Sequence, residues 1–154
     1  MRTTRRSAIA ALISIGALVV TASAAAAHVE PVPTSVKPAK AATVAFTPEH
    51  GCEDSPIVEM KFLVPKGAKD ASPVAKDGWT TRSTARVVTF SGGSMPSDAT
   101  DAFSISFTAP KAKGVLTWKI IQRCEQGVER WIEPQSGDFP APIVGVGKKV
   151  ENAE

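Results

Sequence analysis

Phe103-Ser104-Ile105-Ser106-Phe107-Thr108 alternates apolar and polar residues without a break. Successive side chains of an extended strand point to opposite faces, so this stretch turns Phe103, Ile105 and Phe107 to one side and the hydroxyls to the other. A helix would scatter the three apolar groups around its circumference. The stretch therefore predicts a half-buried strand over 102–108. Outward from it, the runs 42–47, 57–64, 86–91, 115–123 and 128–133 are equally short and rich in Val, Ile, Phe, Thr and Trp. Val58, Met60 and Phe62 alternate with Glu59 and Lys61 in the same manner. Turn signals separate the runs: Pro65-Lys66-Gly67, Asp77-Gly78, Gly92-Gly93, Ala109-Pro110 and Gln126-Gly127. The last predicts a hairpin between the strands that carry Trp118 and Trp131. No segment sustains a helical stripe. The expected architecture is all-β: an antiparallel β-sandwich of about six or seven strands with Greek-key connections, immunoglobulin- or cupredoxin-like. It is expected to span 28–140, with 141–154 as a flexible C-terminal tail, because the alternation stops there.

A length of 154 residues with 43% hydrophobic content suits one ordinary domain, too short for two independent cores and too apolar for disorder. The formal net charge is +3, and its location matters more than its size. Arg2, Arg5 and Arg6 open the chain, and no acid precedes Glu30. Without residues 1–27, Lys and Arg fall from 18 to 15, equal to the 15 acids. A neutral domain matches a phosphate backbone poorly, since such binding needs clustered positive charge, so no nucleic-acid partner is expected.

Residues 1–27 read as a signal peptide. Arg2 to Arg6 form a positive head, AIAALISIGALVV (8–20) an apolar middle, and TASAAAA (21–27) a small-residue cleavage region. The apolar run is too short for a confident membrane span. Arg5-Arg6 before Ser7-Ala8-Ile9 partly matches the twin-arginine export pattern. A cut after Ala27, with Ala25 three residues before it, makes His28 the first mature residue; a cut after Ala24 would leave three alanines ahead of it. The mature chain is expected to be exported and soluble, in the periplasm or at the cell surface. Cys52 and Cys124 are the only cysteines, and in that oxidising compartment they are expected to form one disulfide. Two free or metal-binding thiols are the alternative, without a CxxC spacing to favour it.

Parts for enzyme chemistry are scarce. The chain holds no GxSxG, no Gly-rich phosphate loop and no HExxH, and it has no tyrosine. No enzymatic activity is expected. The two histidines are His28 and His50. A histidine at a free N-terminus offers its α-amine and its ring Nδ1 to the same ion, and such nitrogen donors in a flat arrangement suit Cu(II). Any residue ahead of His28 turns that amine into an amide and removes the donor.

An ordered set of short motifs extends this reading. His28-Val29-Glu30 follows the signal, and His50-Gly51-Cys52-Glu53 precedes a strand. Val58-Glu59-Met60-Lys61, Pro65-Lys66-Gly67 and Asp77-Gly78-Trp79-Thr80 come next. Trp118 within 116–121 and Gly127-Val128-Glu129-Arg130-Trp131 complete it. In this set the chain resembles the YcnI-like family of exported bacterial copper-binding domains. The resemblance implies a β-sandwich holding one Cu(II) per chain in a brace made by a single histidine. The α-amine and imidazole of the first residue bind with a glutamate carboxylate, and a tryptophan lies against the metal. Carried onto this sequence, the ligands are His28, Glu53 and Trp131. Glu53 is preferred because it adjoins Cys52, whose partner Cys124 leads into the hairpin bearing Trp131; Glu59 and Glu30 stay open. His50, in a polar turn, is read as a surface residue. The implied function is a copper carrier or chaperone that passes Cu(II) to a membrane copper transporter or a cuproenzyme. Two alternatives stand beside it. A copper-dependent polysaccharide oxidase would need a second imidazole and usually an axial Tyr or Phe. A metal-independent carbohydrate-binding or adhesion module would present Trp79 or Trp131.

Overall fold

The structure is a computed structural model and describes residues 28–153; the signal peptide read over 1–27 and its cut after Ala27 lie outside the described residues. Three sheets account for the strands. The first carries β1 (Val29–Val32), β3 (Ala41–Pro48), β8 (Phe103–Thr108) and β5 (Lys69–Pro73), in that order. The second runs β11 (Val128–Trp131), β10 (Lys119–Cys124), β4 (Ile57–Leu63), β7 (Val87–Met95) and β6 (Thr80–Ser83). The third joins β2 (Ser35–Val36), β12 (Ile143–Val146) and β9 (Gly114–Thr117). All pairings are antiparallel except β2 with β12, which is parallel.

The alternating sequence dictates how the first two sheets face each other. Phe103, Ile105 and Phe107 are buried and the residues between them are half-exposed, as period two requires. Phe46 from β3 meets Phe62 from β4 at 5.2 Å between ring centroids, and Phe103 meets Phe90 at 5.3 Å. These aromatic contacts, the first tilted and the second edge-on, cross the sandwich, and burying each ring stabilises the fold by about 1.5–3 kcal/mol. Trp118 closes one end of the core between Phe46 and Phe107, each at 5.2 Å. Its Nε1 is buried without a hydrogen-bond partner.

Three sequence expectations are corrected. The stretch read as a flexible tail over 141–154 is, in its described part 141–153, no tail: β12 pairs with β2 and β9, and Val144 and Val146 are fully buried. Asn152 then holds the backbone N–H and C=O of Ile143 with its side-chain amide. A run as short as Ile-Val-Gly-Val, buried on both faces, shows no alternation to read. The run 115–123 is two strands rather than one. Leu116, Trp118 and Ile120 keep the alternation, but the Trp118 N–H turns to the Pro142 carbonyl and the chain passes from β12 to β4. Gly92-Gly93, read as a turn, lies inside β7 as a bulge opposite Ile57–Glu59. Gly92 takes a φ of +76°, and a Cβ on Gly93 would stand 2.4 Å from the Trp79 ring. The hairpin at Gln126-Gly127 is present, with Gly127 at φ +98° and the Cys124 N–H bonded to its carbonyl.

Candidate functional site

β1 begins directly after His28, and the Glu49 N–H donates to the His28 carbonyl at 3.1 Å. The half-buried His28 is thereby pinned beside Glu49-His50, at the exit of β3. The segment from His50 onward is tied down in turn. Gly51 N–H bonds the Ser97 carbonyl, and the Cys52–Cys124 disulfide joins it to the end of β10. The expected disulfide is therefore present, and it brings the His50–Glu53 segment to the β10–β11 hairpin.

Gln122 organises what faces that segment. It is fully buried on β10, directly opposite Glu129 of β11. Its Nε2 donates to the His50 carbonyl at 3.0 Å and to Glu129 Oε2 at 3.1 Å. Its Oε1 accepts from the Trp131 indole Nε1 at 3.2 Å. One buried amide thus fixes an indole, a carboxylate and the His50 backbone together, with every polar atom satisfied. Glu129 is half-buried, and burial pushes its carboxyl above the ordinary value of 4.5. The charge of the His50 ring pulls it down and the Glu53 carboxylate pushes it up, both by less than burial does. His50 Nδ1 lies 2.6 Å from the Gly51 carbonyl. A carbonyl only accepts, so Nδ1 is the donor of this bond, and Nε2 is the ring nitrogen left to face outward from it. That arrangement is the one found when an imidazole ligates a metal and its other nitrogen donates to the backbone.

The residues singled out from sequence are placed as follows. His28 stands at this end, as a backbone amide within the chain described. Glu53 is exposed in a left-handed conformation, φ +54°, a setting that clusters at functional sites. Trp131 is 1% exposed and packs edge-on against Phe139 at 5.4 Å, so it is a core ring acting through Nε1 rather than a rim aromatic. Glu30 is exposed on β1. Glu59 accepts from Lys61 at 3.0 Å and Arg123 at 3.3 Å, both on Oε1. His50 is half-buried, and its backbone carbonyl shares the Gln122 amide with Glu129. Trp79 packs on Phe103, with ring centroids 4.9 Å apart. Sequence reasoning missed Glu129 and Gln122. Period two held the signal for the first: with Trp131 facing inward, Glu129 two residues earlier faces inward too.

Among the described residues no three His, Cys, Asp or Glu side chains form a metal-holding group. A brace draws two of its donors from a terminal residue and needs only one carboxylate, so it would not form such a triple. The candidate donor residues toward this end are His28, His50, Glu53 and Glu129.

No curated protein matches the chain. Solved structures share its fold, two of them as follows. An uncharacterised protein from Nocardia farcinica with an immunoglobulin-like fold is 19% identical, with a TM-score of 0.64, covering 78% of this chain and 96% of that one. A protein from Corynebacterium diphtheriae, described with a proposed membrane anchor, is 13% identical at a TM-score of 0.50, covering 79% of this chain and 33% of that one. At such identities the likeness extends to the immunoglobulin-like sandwich and no further. The model of one family, described as Domain of unknown function (DUF1775), matches residues 81–146.

Proposed function

We propose that the chain, cleaved ahead of His28, is an exported, non-enzymatic Cu(II)-binding protein that carries one copper ion to a membrane transporter or cuproenzyme. The observation that supports this most is the Gln122 arrangement. One buried amide holds the half-buried Glu129 carboxylate and the His50 backbone carbonyl together, at the end where the sheet pins His28. A carboxylate pushed up by burial and by a second carboxylate is one that a cation would relieve. The α-amine and imidazole of His28 form the brace, and the Glu129–Glu53 pair supplies the carboxylate. Glu129 is the better held of the two. Trp131 acts through Gln122 to orient it. The disulfide supports an extracytoplasmic setting.

The test is the Cu(II) electron paramagnetic resonance spectrum of protein starting at His28, beside the same protein with one glycine in front. The expected result is a single nitrogen-rich tetragonal signal at one equivalent, altered by the glycine and weakened by Glu129→Gln. Identical spectra with and without the glycine would overturn the brace. Should Glu53→Gln rather than Glu129→Gln weaken binding, the ligand is Glu53. Copper-dependent oxidation of a polysaccharide would favour the oxidase reading. Glycan binding without metal would favour the adhesion module.

A further inference from the structure

The two ends of the sandwich differ in charge, with Asp70 the exception at the basic end and Arg123 at the acidic one, although the described domain is close to neutral as a whole. Every lysine outside the strands and the Lys76 loop falls at one end. Lys37 and Lys40 lie between β2 and β3, Lys66 between β4 and β5, Lys111 and Lys113 between β8 and β9, and Lys148 and Lys149 follow β12. All are exposed, and Lys69 opens β5 beside them. These loops are laced into one surface. Ala39 N–H bonds the Pro110 carbonyl at 3.0 Å, Ala109 N–H the Lys40 carbonyl at 2.9 Å, and Gly147 N–H the Val36 carbonyl at 2.9 Å. The side chains of Lys113 and Pro38 come within 3.0 Å of where a Cβ on Gly147 would sit. Among the described residues the ion pairs are Glu59 with Lys61 and Arg123, and Asp101 with Lys76, so no lysine of this end is neutralised by a partner. The opposite end carries Glu49, Glu53, Asp54, Asp98, Glu125 and Glu129.

Between the lysines the surface is apolar. A shallow groove of about 350 Å³ runs past Pro110, Ala112, Val115 and Leu116, rimmed by Lys66 and Lys113. Val115 is 43% exposed and Leu63, at the end of β4, 39%. The groups suit different partners to different degrees. A linear nucleic acid is gripped by cations interleaved with aromatic platforms, and the loops 37–40, 64–68, 109–113 and 147–150 hold no aromatic residue. A bilayer surface offers a sheet of phosphate charge above an apolar layer, which matches lysines surrounding small exposed aliphatic groups.

We propose that this basic end docks the domain on an anionic phospholipid surface, with the Lys66–Lys113 groove against the headgroup region. The seven-residue β4 runs between the two ends, which sets them roughly 20–25 Å apart. Docking by the basic end therefore directs the His28–Glu129 end away from the lipid, toward whatever approaches from solution.

The test is co-sedimentation of protein starting at His28, which contains all the described structure, with phosphatidylcholine vesicles with and without about one-third phosphatidylglycerol. Binding is expected only to the anionic vesicles, and is expected to fade as salt is raised. Each lysine near such a surface is worth about fivefold in affinity, so the quadruple change Lys66→Gln, Lys111→Gln, Lys113→Gln, Lys148→Gln should lower binding by more than a hundredfold. A matched neutralisation at the other end, Asp54→Asn with Asp98→Asn, should leave binding equal or stronger. These exposed side chains are outside the core, and an unchanged thermal midpoint confirms that each variant is folded. Absence of binding to anionic vesicles, equal binding by the quadruple variant, or binding to duplex DNA without binding to vesicles would each overturn the proposal. Head-to-tail self-association in place of lipid binding, seen by sedimentation velocity, would do so as well.

Discussion

Replacing Gln122 by methionine keeps its volume and removes both hydrogen-bonding ends. The Trp131 indole, Glu129 and the His50 carbonyl would each lose a partner in a site with little water. Leaving buried polar groups unpaired costs about 1–3 kcal/mol each, so a total loss of about 2–4 kcal/mol is expected in urea unfolding, because Glu129 can reach solvent. Trp131→Phe breaks one of the same bonds, and the double variant should cost less than the two singly. Glu129→Gln should behave oppositely. It removes a carboxylate that burial disfavours, so metal-free stability at neutral pH should hold or rise while copper binding falls. Trp118 gives the contrast, since its Nε1 has no partner to lose and Trp118→Phe should cost only the cavity it leaves. At this scale the sequence was partly legible. The Cys52–Cys124 pair stands out because a lone pair of cysteines is a local fact. Glu129 did not, because its neighbours His50 and Glu53 reach it only through the disulfide and the Gln122 bond, across some seventy residues of chain.

At the scale of elements, the disulfide and β12 make the sharpest predictions. Cys52 and Cys124 are separated by 72 residues, and closing so long a loop contributes about 4 kcal/mol in the chain-entropy picture. The double Cys→Ala protein, or the reduced one, should show that loss in its denaturant midpoint. The Glu129 site should loosen with it, read as weaker copper binding. Truncation after Pro140 should abolish cooperative unfolding, since it removes the strand that pairs β2 with β9 and the carbonyl that holds the Trp118 N–H. A dispensable tail would leave the transition unchanged. Strands whose one face is wet, such as β8 and β4, were readable from alternation. Those that failed had other reasons. β12 is buried throughout, the β9–β10 run changes partners without changing its alternation, and Gly92-Gly93 serves a bulge that admits Trp79.

For the whole molecule, charge decides both pH response and orientation. Burial pushes the Glu59 carboxyl up, but the hydrogen bonds and charges of Lys61 and Arg123 outweigh it and hold it below 4.5. For Asp101 the Lys76 hydrogen bond dominates over burial and holds it below 3.8. Both groups bind protons more readily when unfolded, so their stabilisation is complete above the ordinary values and lost as pH falls through the lower folded ones. Glu129 has the opposite sign: its contribution is present in acid and lost as pH rises through its raised value. Unfolding midpoints should therefore decline below about pH 4, and Glu59→Gln with Asp101→Asn should flatten that limb. The effect is small and fades with salt, because Asp101 and Arg123 are largely exposed. An equal number of acids and bases concealed the polarity of the ends, which only the strand directions reveal.

The parallel pairing of β2 with β12 joins nearly the first residues of the sandwich to nearly the last. Most other pairings also cross large stretches of chain, as β3 does with β8. A polypeptide that emerges end first, from a ribosome or through an export pore, leaves Val36 without its ladder partner until Val146 has followed. Closure is thus postponed to the last moments of emergence, and contacts so distant in sequence make folding slow. During that interval the unpaired edges lie open, and a holding chaperone in the receiving compartment would have its longest opportunity to act.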